Sequence, residues 1–302
     1  LAMILVVGAT GKLGGRIATK LLTQGYSVRV LVRADSPSEQ LAAQGMATAP
    51  AALAAAGAEI VTGDLLAPSS LIHACQGIHT VITTANSASR PDETVEQVDR
   101  WGNRHLIDAA VAAGVQHFIF VSAQFADPNS PSDFLRAKAE TEVYLRESGL
   151  RYTILAPNAF MDIWITMLVL MPVLQKRPVV LPGSGARQHA FIAMEDVVAF
   201  TLAALEYPAA PYQRLVLGGP KALSFLGAVR TVEQVLNRAI PVAHVAPGEP
   251  ISGLPEAAWP IAASFDFFDS PVEMEATART FGVTLTPLEA FVRRQLAVMT
   301  GG

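Results

Sequence analysis

The chain contains little charge, few aromatic residues and a single cysteine. Lys, Arg, Asp and Glu supply only 16% of its 302 residues, and aromatic side chains supply 7%, whereas an average soluble domain is about 25% charged. Cys75 has no second cysteine with which to form an internal disulfide, so a disulfide scaffold is excluded and we expect its thiol to be buried. The net charge of −4 and the lack of a Lys/Arg cluster argue against nucleic acid as a partner.

Aliphatic residues are abundant instead, since 51% of the chain is apolar and the mean hydropathy is +0.36. This composition excludes disorder. The longest apolar run, residues 159–174, carries Asp162 and Pro172 and is shorter than the roughly 20 residues of a membrane span. The apolar run before Gly8 is too short for a signal peptide. We therefore predict a soluble cytoplasmic protein, either a monomer or a homodimer, without a membrane span.

Short apolar runs alternate with helical patterns in the first half of the chain. Strands are predicted at 4–7, 27–32, 59–62, 80–84, 117–121 and 151–156, and helices at 13–23, 96–113 and 133–148. Residues 36–57 look like a surface insertion. This rhythm predicts an α/β fold, a Rossmann-type doubly wound parallel sheet over residues 1–156.

Residues 157–302 are predicted to form a smaller C-terminal substrate-side region that is interleaved with the sheet, so that the chain forms one compact unit. Its predicted strands are 179–181 and 214–217, and its predicted helices are 195–205, 226–237, 271–281 and 287–299.

The most specific motif is the glycine loop that follows the first strand. Gly8 permits a sharp turn, Gly11 permits close approach of a pyrophosphate, and Gly14 permits close packing of the next helix on the sheet. Backbone amides and the helix dipole then favour an anion. Because the motif stands between a strand and a helix, it predicts a dinucleotide site rather than an empty tight turn. The loop residues expected to contact the cofactor are Gly8, Thr10, Gly11, Lys12, Leu13 and Gly14.

In dinucleotide-binding folds, the residue at the end of the second strand contacts the adenosine ribose. An acid there suits NAD, whereas a basic group accepts the additional phosphate of NADP. Arg33 occupies this position, and Lys12 lies nearby in the fold. Because a guanidinium binds phosphate with two hydrogen bonds, we predict NADP(H) as the cofactor. Two alternatives stay open, namely that Asp35 binds the ribose hydroxyls and that Arg33 is a solvated surface cation.

Several motifs together resemble the NmrA-like and isoflavone-reductase-like group of atypical short-chain dehydrogenases/reductases. Besides the glycine loop, they are Leu31-Val32-Arg33, Gly63-Asp64-Leu65, Val121-Ser122-Ala123, Lys138 with Glu142, the run 155–161 (LAPNAFM) and the run 192–197 (IAMEDV). The resemblance covers about residues 3–204. It implies that Asp64 and Leu65 lie by the adenine, that Thr83, Thr84 and Ala85 line the inner ribose and pyrophosphate, and that Pro157 and Asn158 approach the nicotinamide.

Most short-chain dehydrogenases use Tyr-x-x-x-Lys on the helix after the fifth strand, where helical spacing places both groups on one face. Here the lysine is Lys138, but the tyrosine position holds Phe134, which cannot exchange a proton. The resemblance implies that Lys138 holds the nicotinamide ribose, although a solvated lysine is the alternative. Ser122 ends the fifth strand, where doubly wound folds place ligands. It either hydrogen-bonds a substrate oxygen or caps the next turn.

The apolar segment after Pro157 has three interpretations. It is a buried or dimer-facing helix, an apolar pocket wall adaptable through its methionines, or a segment in peripheral contact with a membrane. The second interpretation gives a substrate pocket lined by Phe134, Phe160, Met161, Trp164 and His189. No histidine spacing typical of a zinc site occurs, so we predict no metal.

These observations predict an NADPH-dependent oxidoreductase. With Lys138 and Ser122 as its catalytic residues, it reduces a small hydrophobic conjugated acceptor, such as an enone or a quinone. The alternative is an NADP(H)-binding redox sensor or assembly protein without turnover. Carbonyl or epimerase chemistry with a replacement acid is a third option.

Overall fold

The computed structural model describes residues 2–34, 36, 38–43, 47–87, 93–207 and 210–300. The chain divides into two compact units: residues 1–156 with 198–215, and residues 157–197 with 216–302. The first break between the units follows residue 156, and residues 198–215 belong to the first unit.

A seven-stranded sheet of order β3-β2-β1-β4-β5-β6-β8 forms the main scaffold. The strands are β1 (Met3–Val7), β2 (Ser27–Val32), β3 (Glu59–Thr62), β4 (Thr80–Thr83), β5 (His117–Val121), β6 (Tyr152–Pro157) and β8 (Gln213–Leu217). The pairs from β3 through β6 are parallel. This is the predicted Rossmann-type α/β fold. Its strand order reverses between β1 and β4, and ligands of such sheets bind beyond the carboxyl ends of the strands at that point.

Helices connect the strands of the first unit. They are α1 (Lys12–Thr23), α2 (Ser38–Ala43), α3 (Pro50–Ala55), α4 (Pro68–Cys75), a π-helix (Glu96–Gly102), α5 (Asn103–Ala112) and α6 (Asp133–Glu147). The predicted helix at 96–113 is thus a π-helical segment continued by α5, and the predicted insertion contains the short helices α2 and α3. The core of this unit is mainly aliphatic with Phe118 and Phe120, and Cys75 is buried as expected.

The second unit is built around the apolar segment that follows β6. This segment forms α7 (Met161–Ile165), a second π-helix (Thr166–Leu170) and α8 (Met171–Leu174). Its side chains, including Leu168 and Val169, are at the centre of the unit's hydrophobic core. Most apolar side chains of this segment are therefore buried within their own unit. None of the helices in the described part of the chain is long and apolar enough to cross a bilayer.

The rest of the described chain contributes one parallel strand pair, five α-helices and a short 3-10 helix (Glu256–Ala258). The strands are β7 (Val179–Pro182) and β9 (Val242–Val245). The helices are α9 (Met194–Glu206), which runs from the second unit into the first, α10 (Phe225–Leu236), α11 (Trp259–Ser264), α12 (Glu275–Phe281) and α13 (Leu288–Thr300). The predicted strands and helices of this half all occur, with shifted ends, and β9 and α11 are additions.

Candidate functional site

The glycine loop forms the turn that its sequence predicts. Gly8 has a φ of +85°, which glycine adopts without steric cost, and the Gly11 amide donates to the Gly8 carbonyl at 2.9 Å. A methyl group on Gly14 would collide with the Gly8 carbonyl oxygen and lie 2.6 Å from Thr84 Oγ1. α1 can therefore pack this closely on the turn only because residue 14 is glycine.

The N-terminus of α1 suits a phosphate group. Gly11 precedes the helix in an extended conformation, and within the described residues no side-chain hydrogen bond is made at this cap. Uncapped amides at a helix N-terminus form a site for phosphate oxygens. Lys12 is exposed beside them, whereas the Leu13 side chain is buried and Thr10 is half-buried. The cradle thus fits the pyrophosphate of a dinucleotide.

The carboxyl end of β4 lies directly against this loop. The Thr84 amide donates to the Val7 carbonyl at 3.0 Å, which joins the two strand ends at the switch point. Thr83 is buried, and its hydroxyl donates to Asn103 Oδ1 at 3.2 Å and accepts from the Ala85 amide at 3.3 Å. The strand end is therefore held rigidly where the resemblance implies cofactor contact.

Arg33 follows β2 and forms an ion pair. Its Nη1 lies 2.7 Å from Glu93 Oε1, and the two side chains are 20% and 13% exposed. The guanidinium is therefore not merely solvated. Asp35, the alternative ribose ligand, lies outside the described residues.

The two residues implied at the adenine differ in their surroundings. Asp64 Oδ1 accepts a hydrogen bond from the Leu66 amide at 2.8 Å, within the turn after β3. The Leu65 side chain is 1% exposed and belongs to the core of the first unit. Of Asp64 and Leu65, Asp64 is therefore the residue whose polar side chain can contact a ligand.

Lys138 is buried, with 2% of its side chain exposed, so the alternative of a solvated lysine is wrong. Its Nζ lies 3.2 Å from Asp99 Oδ1 and donates to the Ala85 carbonyl at 3.4 Å. The ring of Phe134 lies 5.4 Å from the ammonium, and that of Phe120 lies 5.0 Å from it. The position of the missing tyrosine is thus filled by a ring that makes a cation–π contact and carries no proton to donate.

Ser122 is held by a buried carboxylate on α6. Its hydroxyl donates to Glu142 Oε1 at 2.6 Å, and Glu142 also accepts from Arg214 Nε at 2.8 Å and from Arg146 Nη2 at 2.8 Å. Arg214 donates in addition to the carbonyl of Ala123 at 2.9 Å. The Ser122 hydroxyl therefore joins β5 to α6, and its proton is directed at Glu142.

In the second unit, Asn158 and His189 meet at Ser270. Asn158 Nδ2 donates to the Ser270 carbonyl at 2.9 Å. His189 Nε2 is 2.8 Å from the Phe265 carbonyl, which can only accept, so Nε2 carries the proton. His189 Nδ1 then accepts from Ser270 Oγ at 2.7 Å. Burial lowers the pKa of His189, and the hydrogen bond to Phe265 opposes this effect in part.

The predicted pocket residues are mostly interior. Met161, Trp164 and His189 are buried at 0%, 9% and 1% exposure, and Met161 and Trp164 belong to the hydrophobic core of the second unit. Phe134 and Phe160 retain partial exposure. Pro157 ends β6 and is buried.

Sequence reasoning missed three acidic residues, Glu93, Asp99 and Glu142, as partners of predicted site residues. One signal was available for Asp99: it stands four residues before Asn103, and a polar pair at this spacing shares one face of a helix. Both side chains are fully buried. Glu93 gave no comparable signal, because its partner Arg33 lies 60 residues away. Glu142 belongs to the motif quoted with Lys138, but its contact with Ser122, 20 residues away, had no local signal.

Comparison with known proteins adds family information to this geometry. The model of the NmrA-like family matches residues 2–294. A photosystem II assembly factor Ycf39 from Cyanophora paradoxa is 36% identical over 202 residues, covering 67% of this chain and 59% of that protein. Its counterpart from Trieres chinensis is 30% identical, with coverage of 79% and 70%. An NAD(P)H azoreductase from Xenophilus azovorans is 28% identical, with coverage of 81% and 77%.

Solved structures share the fold at lower identity. An NADPH-dependent quinone oxidoreductase from Escherichia coli superposes with a TM-score of 0.75 at 21% identity, covering 97% of this chain and 100% of that one. A triphenylmethane reductase from Citrobacter sp., solved with NADP(H), gives a TM-score of 0.77 at 21% identity, with coverage of 97% and 99%.

Proposed function

Because the chain belongs to the NmrA-like family, we propose that it is an NADPH-dependent oxidoreductase that reduces a hydrophobic conjugated acceptor, such as an enone or a quinone. The observation that carries this proposal is Lys138, held beside the end of β4 with Phe134 in the tyrosine position. When bound, NADPH supplies a hydride to the acceptor, and the reduced anion takes its proton from water. Quinones and similar acceptors suit a site without a tyrosine, because their reduced anions are stabilised by conjugation.

The first unit supplies the residues that would hold the cofactor. The amides of the glycine loop and of the first turn of α1 would bind the pyrophosphate. Arg33 would bind the 2′-phosphate, and Thr84 and Ala85 would border the inner ribose. Lys138 would add positive charge near that ribose. Ser122, whose hydroxyl donates to Glu142, would be the second catalytic residue and would hydrogen-bond the acceptor's oxygen.

The relatives support a reductase activity in general. They do not identify the acceptor, which is therefore part of the proposal. One relative is named as an NAD(P)H azoreductase, and structural neighbours are named as quinone and triphenylmethane reductases. The cytoplasmic location also stays a proposal, since another relative is named as chloroplastic.

The test measures NADPH binding first and NADPH oxidation second. Binding is measured by calorimetry for the wild type and for Gly14→Ala, which would place a methyl group against the Gly8 carbonyl. Gly227→Ala is the matched control, because its Cβ would meet only ordinary contacts. We expect Gly14→Ala alone to lose affinity. Oxidation is then followed with quinones, enones, azo dyes and triphenylmethane dyes. Absence of NADPH binding, or binding without oxidation by any of them, contradicts the reductase.

A second candidate is an NADP(H)-binding assembly factor without turnover. It is favoured by the enclosure of Lys138 between Asp99 and two aromatic rings and by the relatives named as photosystem II assembly factors. Affinity capture from a lysate with NADP⁺ or NADPH present separates the two candidates. Nucleotide-dependent exchange of partners, combined with absent oxidation, supports the assembly factor.

A further inference from the structure

A cleft in the second unit is lined mainly by apolar side chains. It lies between the second π-helix, β7, β9 and the loop that follows β9, and its volume is about 220 Å³. Its apolar walls include Met167, Leu168, Val180, Ala243, Ile251 and Leu254. Since an apolar cavity of about 150 Å³ holds a benzene molecule, this cleft has room for an apolar group larger than a benzene ring.

The walls of the cleft are fixed by the core of the same unit. Leu168, Ile251 and Leu254 are buried and belong to that core. The Leu254 amide donates to the Ile251 carbonyl at 3.0 Å, and Trp259 Nε1 donates to the Leu254 carbonyl at 3.0 Å. The loop is therefore a hydrogen-bonded turn packed on the core, so the cleft is formed before a ligand enters it.

Among the described residues that line the cleft, Arg177 is the one with a charged side chain. Its Nη1 donates to Ser252 Oγ at 3.2 Å, and its Nη2 donates to Gln175 Oε1. Both acceptors are neutral, and in the described part of the chain the guanidinium has no carboxylate partner. A guanidinium has five N–H donors, so Arg177, which is exposed, can bind an anion at the edge of an apolar cleft.

We propose that this cleft binds a small amphiphilic carboxylate, whose apolar body lies along the walls and whose carboxylate pairs with Arg177. Removal of the apolar body from water supplies affinity, and a guanidinium binds a carboxylate with two parallel hydrogen bonds. The lining residues all belong to the second unit, whereas the residues proposed to hold NADPH belong to the first. The inference therefore does not rest on the proposed function.

Calorimetric titration with octanoate tests the site, with octanol as the uncharged analogue and acetate as the charge without an apolar body. The wild type should bind octanoate at least about tenfold more tightly than acetate, because acetate buries little apolar surface. Arg177→Met should bind octanoate at least about tenfold more weakly than the wild type, because the hydrogen bonds to a charged group are lost. Its affinity for octanol should be unchanged. Arg230→Met is the matched control, since Arg230 is exposed on α10 and does not line the cleft.

A second variant and a spectroscopic signal locate the ligand. Ala243 is exposed on β9, where it pairs with Val180, and Ala243→Phe should fill the cleft and abolish the binding of both octanoate and octanol. In methyl NMR spectra, the Met167 resonance should shift as octanoate is added. The resonance of Met299, which is exposed on α13, should not shift.

Three results would overturn the inference. The first is a folded wild type that does not bind octanoate. The second is an octanoate affinity that is unchanged in Arg177→Met or in Ala243→Phe. The third is binding to vesicles that contain phosphatidylglycerol without any binding of octanoate, which would mean that Arg177 meets a lipid surface rather than a free carboxylate. None of these measurements requires NADPH, so each outcome is independent of whether the proposed function holds.

Discussion

At the scale of single residues, the adenosine end of the proposed site combines a base and an acid. Arg33 alone predicts a preference for NADPH. However, Glu93 Oε1 lies 2.7 Å from Arg33 Nη1, and the negative charge of Glu93 repels a 2′-phosphate. We expect Glu93→Gln to bind NADPH about tenfold more tightly, corresponding to about 1.4 kcal/mol, while NADH affinity stays constant or falls. Calorimetric titration with both nucleotides measures the ratio.

Arg33→Met provides the opposite comparison for this ion pair. It should lose NADPH affinity and retain NADH affinity, because the phosphate loses its cation. An unchanged NADPH-to-NADH ratio in Glu93→Gln would show that the carboxylate only orients Arg33 and does not determine cofactor preference.

At the scale of elements, the apolar segment of the second unit is a core helix interrupted by a π-helical turn. Leu168 is 1% exposed within it. Leu168→Ala should lower the free energy of unfolding by about 2–5 kcal/mol, because removing buried methyl groups also leaves a cavity. Denaturant titration measures this loss, and NADPH affinity should not change.

Val298→Ala on α13 is the control for that substitution, since Val298 is 73% exposed and surface changes usually stay within about 0.5 kcal/mol. If Leu168→Ala were as stable as the control, the segment would not carry the core of its unit.

The helices and strands show what a sequence pattern can predict. β1, the glycine turn and α1 follow from adjacent residues, so their positions agree with the prediction to within one residue. Over so few residues, the apolar periodicity of a π-helix does not differ from that of an α-helix. The prediction therefore merged the first π-helix with α5. β9 has only four residues and pairs with β7, about 60 positions earlier, so no local signal distinguishes it from a loop.

At the scale of the whole molecule, the candidate site depends on contacts that span the sequence. The glycine loop, Arg33 and Lys138 could be predicted because each stands at a fixed place in a strand–helix repeat. The pairing of Glu93, Asp99 and Glu142 with Arg33, Lys138 and Ser122 was not predicted, because the fold brings each pair together from different elements. These partners add contacts that the sequence did not predict: Lys138 lies beside Asp99, and the Ser122 hydroxyl donates to Glu142.

Buried neutral histidines in both units make stability depend on pH. Burial lowers the pKa of His117 to about 4 from its usual 6.5, with smaller contributions from Arg151 and His79, and it also lowers that of His189. Between pH 6.5 and pH 4 the unfolded chain therefore binds more protons than the folded chain, so stability is lost as the pH falls through this range. For His117 the loss approaches about 3 kcal/mol.

Denaturant titrations at several pH values measure this dependence. His117→Gln should remove a large part of the loss between pH 6.5 and pH 4, because glutamine does not titrate and still offers an N–H to Thr153 Oγ1, the acceptor 2.9 Å from His117 Nε2. His73→Gln is the matched control, since His73 is exposed on α4 and its replacement should leave the profile unchanged. If His117→Gln lost as much stability on acidification as the wild type, the buried imidazole would not be a source of the acid sensitivity, and the carboxylates would have to account for it.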